Sequence, residues 1–95
     1  MNAINTQRNK TAIGINAMEK RTKEGAGNTA VGKSSQSNST AGNYNTSVGI
    51  EALELVTGDN NTVIGAFSGD TLTGGSNNIL IGYNVETDAN TTSNQ

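Results

Sequence analysis

The sequence contains no cysteine, no histidine, no proline and no tryptophan, and each absence removes a class of explanation. Without cysteine there are no disulfides or thiolate metal sites, and the redox compartment is not indicated. Without histidine the chain lacks a common zinc ligand and the usual general base near neutral pH. The lack of proline suits a backbone that pairs continuously, because proline cannot donate to a ladder. Aromatic residues make up only 3% of the chain. Leu, Ile, Val and Phe together number seventeen of 95 residues, close to the poverty in large apolar groups at which disorder is expected. No run approaches the ~20 apolar residues of a membrane helix, and the first ten residues carry no signal-peptide core, so membrane insertion is not expected.

Disorder normally goes with high net charge and little pattern. Here the formal net charge is only -2 and the pattern is strong. The phrase Gly58-Asp-Asn-Asn-Thr-Val-Ile-Gly65 has relatives at Gly25-Ala-Gly-Asn-Thr-Ala-Val-Gly32, Gly42-Asn-Tyr-Asn-Thr-Ser-Val-Gly49 and Gly75-Ser-Asn-Asn-Ile-Leu-Ile-Gly82, with a worn copy at Gln7-Arg-Asn-Lys-Thr-Ala-Ile-Gly14. The closing glycines Gly14, Gly32, Gly49, Gly65 and Gly82 are spaced by 18, 17, 16 and 17 residues. Self-similarity at a fixed short period marks a stack of equivalent units.

Within each phrase, polar and β-branched residues alternate, as in a half-buried strand. Aligning the units produces columns. Ile13, Val31, Val48, Ile64 and Ile81 are β-branched throughout and are expected to fill the core. Thr11, Thr29, Thr46 and Thr62 precede them by two residues, with Ile79 in the fifth place. Ile15, Lys33, Ile50, Ala66 and Tyr83 follow by two. The alternate face, Ala12, Ala30, Ser47, Val63 and Leu80, is small at first and greasy at the end, and is expected to pack on another chain towards the C-terminus. Asn28, Asn45, Asn61 and Asn78 form a further column, open to two readings: side chains hydrogen-bonded up the stack, or a turn preference of asparagine. The closing glycines fall where the chain leaves a strand and needs a backbone that glycine reaches cheaply.

These columns predict an all-β fold: a repetitive parallel β-solenoid or β-roll of about five coils of 16–18 residues. Residues 1–6 are a lead-in, 7–91 the coils (about 7–24, 25–41, 42–57, 58–74 and 75–91), and 92–95 a tail. A chain this small buries only about 60% of its unfolded surface, and with a single Phe it is expected to need copies of itself. The arc Lys33–Thr40 has no apolar side chain and is expected to be the most mobile loop, adding nothing to the core. Ile50–Val56 reads as a helical turn or a second short strand.

Charge separates along the chain. All six Lys and Arg lie at or before Lys33, whereas residues 34–95 carry six acids and no base. The basic third has no aromatic residue, so it reads as a solvated end rather than a nucleic-acid surface. Gly27-Asn-Thr-Ala-Val-Gly32-Lys33-Ser34 matches the phosphate-binding G-x-x-x-x-G-K-[ST] signature. That motif needs a buried strand before it and a helix after it. Lys20–Gly25 and Ser34–Thr40 supply neither, so a nucleotide site is only a remote alternative. Glu51 and Glu54 read as a solvated pair, and Asp59, Asn60, Asn61 and Asp70 lack the spacing of a calcium loop. A threonine rank of the ice-binding kind is disfavoured by its break at Ile79 and by its expected place on the core side. No catalytic residue, cofactor or metal is expected.

The phrases at 42–49, 58–65 and 75–82 resemble the G-N-x-N-T-A-I-G-type repeats of bacteriophage tail-fibre and tail-spike proteins. They are similar also to the S-V-A-I-G head repeats of trimeric autotransporter adhesins. Ile50-Glu-Ala-Leu53 and Ile15-Asn-Ala-Met18 look like the Y-N-A-L segment that follows the phrase in fibres. The resemblance covers about residues 7–86 and implies a homotrimer of parallel β-solenoids, with an intertwined triple β-helix as the alternative, serving as a rigid shaft or head in a virion tail fibre, or alternatively at a bacterial surface. It further implies a host-cell glycan or protein as receptor, contacted through exposed arcs such as Ser34–Thr40.

Overall fold

In the computed structural model, residues 9–19, 26–38 and 42–87 are described. The lead-in 1–6, the cluster 20–23 and the tail 92–95 lie outside them. The chain is all-β. Five three-residue strands, β1 (Thr11–Ile13), β2 (Thr29–Val31), β3 (Thr46–Val48), β4 (Thr62–Ile64) and β5 (Ile79–Ile81), follow one another in a single sheet. Every neighbouring pair is parallel, with Thr11 beside Thr29, Thr29 beside Thr46, Thr46 beside Thr62 and Thr62 beside Ile79. A parallel strand that returns next to its predecessor after 16–18 residues describes a β-solenoid, and its five rungs enclose about four turns.

The return arc is neither helix nor strand but two turns in tandem. The amides of Ala17, Ser35, Ala52 and Ser68 donate to the carbonyls of Gly14, Gly32, Gly49 and Gly65 at 3.2–3.4 Å. The third residue of each turn, Asn16, Ser34, Glu51 or Phe67, has φ of 56–61°, as a type II turn requires. Two residues on, Met18, Gln36, Leu53 and Gly69 again have positive φ, 52–64°. That alternation aims successive amides in opposite directions along the stack. Ser34 N–H reaches back to Ile15 O at 2.8 Å, whereas Met18 N–H reaches forward to Ser35 O at 2.9 Å, and the pattern repeats in later coils. The arcs are therefore hydrogen-bonded coil to coil as thoroughly as the strands, and the left-handed backbone of non-glycine residues, costing about 1–3 kcal/mol each, is held by those bonds.

The two faces of the strands are the reverse of the expectation. Ala12, Ala30, Ser47, Val63 and Leu80 point inward and are all at most 5% exposed. The column expected to fill the core, Ile13, Val31, Val48, Ile64 and Ile81, points outward: Val31 is half-buried, and the others range from 37% exposed at Val48 to 66% at Ile81. The threonines share that outer face and are half-buried, so they are not on the core side. The reason is room. Residues of the facing arc, Ala17, Met18, Ala52, Leu53, Val56 and Leu72, are themselves buried, and a lumen only a few side chains across admits small residues from the strand when the arc supplies large ones. Val63 and Leu80, expected to be buried by a partner chain, are buried within their own.

The core falls into two apolar clusters, Ala12, Ala17, Met18 and Ala30 at one end and Ala52, Leu53, Val56, Val63, Leu72 and Leu80 at the other. Between them lies a polar layer. Ser35, Gln36 and Ser47 are at most 1% exposed. The Ser35 and Ser47 hydroxyls are 2.5 Å apart, and the Gln36 amide nitrogen donates to Ser47 Oγ at 2.9 Å and to Thr29 O at 3.0 Å. The apolar-free arc was expected to be a mobile loop without core; instead its residues 35–37 are interior, because every polar group it buries finds a partner.

Candidate interaction surface

The outward sheet face is built by the same register that builds the core. With coils about 4.8 Å apart, the β-branched column becomes a continuous rib, bordered on one side by the threonines and Ile79. Past each closing glycine, Ile15, Ile50 and Tyr83 prolong the exposed apolar surface. At Tyr83, 75% exposed, the ring meets Phe67 edge to face with centroids 6.0 Å apart. At roughly 150–250 Å² for a large side chain, the fractional exposures of Ile13, Ile15, Val48, Ile50, Ile64, Ile79, Ile81 and Tyr83 leave on the order of 800 Å² of mostly apolar surface. A typical monomer's largest patch is about 300–600 Å². A standard interface takes about 800 Å² from each partner. Lys33 is the one charge in the columns that make this face, and it is exposed.

The asparagine column, by contrast, is interior. Asn28, Asn45, Asn61 and Asn78 have no exposed surface. Each side-chain oxygen accepts the next asparagine's backbone N–H, from Asn45 to Asn28 at 2.8 Å, Asn61 to Asn45 at 2.9 Å and Asn78 to Asn61 at 3.1 Å. The side-chain amides of Asn28, Asn45 and Asn61 donate to the carbonyls of Gly42, Gly58 and Gly75 at 2.8–3.0 Å. Of the two readings of this column, stacking is realised. Lys10 takes its first place and is also buried. A second ladder, unforeseen, runs two positions earlier: Asn43 N–H donates to Asp59 Oδ1 at 2.7 Å and Asp59 N–H to Ser76 Oγ at 2.9 Å. Its signal was the polar residue that follows Gly42, Gly58 and Gly75.

The closing glycines have φ between 125° and 137°, and they also stack. A Cβ built on Gly49 would lie 2.6 Å from the carbonyl carbon and oxygen of Gly65. The phosphate-loop signature does not make a phosphate loop. Its middle is strand β2, and the amides of Thr29, Gly32 and Ser34 already donate to Asn45, Ile13 and Ile15 carbonyls at 2.8–2.9 Å, leaving them no direction in which to cradle an anion.

The acids do not converge either. Asp59 belongs to the second ladder and Asn61 to the first, and among the described residues no group of three acids is placed to hold a metal ion. Glu51, Glu54, Asp70 and Glu86 instead descend one edge. Burial, then the charges of Glu51 and Asp70, raise the Glu54 carboxyl above the ordinary range. Burial, then a hydrogen bond and the charge of Asp70, push Glu86 up to about 7. No protein-family model matches the sequence, and neither curated proteins nor solved structures yield a match.

Proposed function

We propose that this chain is a structural segment of a phage-type tail fibre, a rigid homotrimeric shaft or head that contributes to host-cell attachment. The observation that carries the reading is the outward apolar rib. A soluble chain whose own core is already filled by Leu53, Val56, Leu72 and Leu80 has no internal use for a second β-branched column. Copies of the same chain placed side by side with parallel axes present the same rib to one another at the same coil spacing. Stiffness comes from the coil-to-coil hydrogen bonds and the two side-chain ladders; neither needs a catalytic group. The host glycan or protein receptor implied by the resemblance is not assigned to Ser34–Thr40, since residues 35–37 are interior.

Light scattering on the purified chain tests the assembly. The expected mass is that of three chains. Ile64→Asp, which places a charge on the exposed rib, is expected to give one chain with the β-type circular dichroism retained. A wild-type chain that stays monomeric at tens of micromolar overturns the proposal.

A further inference from the structure

The two borders of the outward rib differ in chemistry. The border that precedes the threonines is polar. Its corner is the column Gly27, Tyr44, Asn60 and Asn77, all with φ of 59–68°. Asn60 and Asn77 are exposed, and their backbone N–H groups donate to the carbonyls of Asn43 and Asp59 in the preceding coil at 2.9 and 3.0 Å. Tyr44 is 65% exposed, and its ring covers Gly27, where a Cβ would come within 2.6 Å of its Cδ1. The border beyond the closing glycines is apolar. Ile15, Ile50 and Tyr83 are exposed there, and it ends in the ring pair Phe67–Tyr83.

Phe67 is the residue on this border that its own coil has least use for. It has a φ of 60° at the third place of a type II turn, where glycine or asparagine is favoured and a bulky side chain is an outlier. The equivalent places in two other coils hold Asn16 and Asn84, with φ of 61° and 55°. The backbone does the same work in either case: Phe67 N–H donates to Ile50 O at 2.8 Å, as Asn84 N–H donates to Ala66 O at 2.9 Å. The ring adds nothing to the interior, since among the described residues it belongs to neither apolar cluster of the core. Its ring contact is with exposed Tyr83, on the outside. Strain held in place by the surrounding structure points to a use beyond the chain's own packing, and aromatic rings are enriched in the contacts between chains.

Resting on the homotrimeric assembly proposed above, we propose that the Phe67–Tyr83 pair anchors the contact between copies of this chain, while the corner of Tyr44, Asn60 and Asn77 stays in solvent. Area decides both the occupant and the side. The exposed apolar face of about 800 Å² matches what a standard interface takes from one partner. Without Ile15, Ile50 and Tyr83 it falls to roughly 500 Å², within the range of an ordinary monomer's largest patch. A second copy seated on the rib therefore leans towards the closing-glycine side, covering the two rings and leaving Tyr44 uncovered.

Nitration of the intact chain by tetranitromethane, mapped by mass spectrometry, reads both corners at once, because Tyr44 and Tyr83 are the only tyrosines. At a chain concentration about tenfold above half-assembly, Tyr83 is expected to react about tenfold more slowly than in the monomeric Ile64→Asp variant. Tyr44 is expected to react alike in both. Phe67→Asn, which copies Asn16 and Asn84, is expected to keep the β-type circular dichroism and to raise the concentration of half-assembly at least about tenfold. Tyr44→Asn is expected to leave that concentration unchanged. If Phe67→Asn loses the dichroism, the nitration pattern decides alone. A wild-type chain that stays monomeric at tens of micromolar removes the homotrimer and this anchor together. A trimer that Phe67→Asn leaves intact, or in which Tyr44 is the protected ring, overturns the anchor alone. So does a Tyr83 that reacts no more slowly than in Ile64→Asp, whether free in both proteins or shielded by its own chain in both.

Discussion

Asn61→Ala is the sharpest probe of what holds the coils in register. Asn61 is fully buried and serves three coils at once. Its oxygen accepts the backbone N–H and the side-chain amide of Asn78, both at 3.1 Å. Its own amide donates to Asn45 Oδ1 at 3.1 Å and to Gly75 O at 2.9 Å. Truncation leaves the Asn78 N–H and the Gly75 carbonyl without these partners in a buried place. Asn45 Oδ1 is less affected, because it still accepts the Asn61 backbone N–H. At about 1–3 kcal/mol for each orphaned buried group, the expected loss is roughly 2–6 kcal/mol. That is a large share of the 5–15 kcal/mol that a domain has in total.

The assay is urea unfolding followed by circular dichroism at fixed protein concentration, with Thr62→Val as control. Thr62 is the next residue, half-buried on the outer face, and the nearly isosteric change is expected to stay within about 0.5 kcal/mol. A ladder also predicts coupling. Asn61→Ala and Asn78→Ala together should cost less than the sum of the two, by about 0.5–3 kcal/mol, since the second truncation removes groups already deprived of partners. The reasoning fails if Asn61→Ala costs no more than Thr62→Val, or if the two alanines are additive.

Two further outcomes follow from the same geometry. Gly49→Ala combines a φ of 134° with a Cβ 2.6 Å from Gly65 backbone atoms, so roughly 2–6 kcal/mol of strain and overpacking is expected, read as a lower urea midpoint or an insoluble product; a neutral result would mean that neighbouring coils can spread. Because Glu86 is raised to about 7 by burial and Asp70, the thermal midpoint should rise as pH falls from 8 to 5, and Glu86→Gln should flatten that rise.

Much of the fold could be read from the sequence because the repeat aligns chemically equivalent residues. The strand positions and the parallel register follow from the columns, whereas the asparagine column leaves stacking and a turn preference equally open, and only the hydrogen bonds decide for stacking. What alternation does not carry is which face is inside. A one-residue slip exchanges the faces of a strand, and the column most uniform in Ile and Val looked like core. Uniformity has a different origin here. An outward column meets the same environment in every coil, and so keeps one residue type. The inward column faces a lumen whose contents change from coil to coil, and so runs from Ala12 through Ser47 to Leu80. The arc Ser35–Ser37 was misread for a related reason: its partners, Ser47 and the Thr29 carbonyl, lie in other parts of the stack, and no local pattern announces them.

The inner column packs against the arc across the lumen, and this gives a last test. Across the lumen, the Gln36 amide nitrogen donates to Ser47 Oγ at 2.9 Å, and Val63 lies beside Gly69. Close packing leaves no spare room on either side of such a contact. At Gly69 the space a side chain would need is already taken. A Cβ there would lie 3.3 Å from Val63 Cγ2, 3.1 Å from Leu53 Cδ2 and 3.3 Å from Leu80 Cδ1. Val63→Ala alone opens a cavity and is expected to cost about 1.5–3 kcal/mol. Gly69→Ala alone strains a φ of 64° and crowds three methyl groups. In the double variant the new methyl enters the space that Val63 vacated, so the pair should be more stable than the sum of the single changes by about 0.5–3 kcal/mol. The backbone strain at position 69 is common to the single and the double variant and cancels from that coupling. A favourable coupling therefore reports packing across the lumen and nothing else. Strict additivity would mean that Val63 and a side chain at position 69 do not compete for the same space.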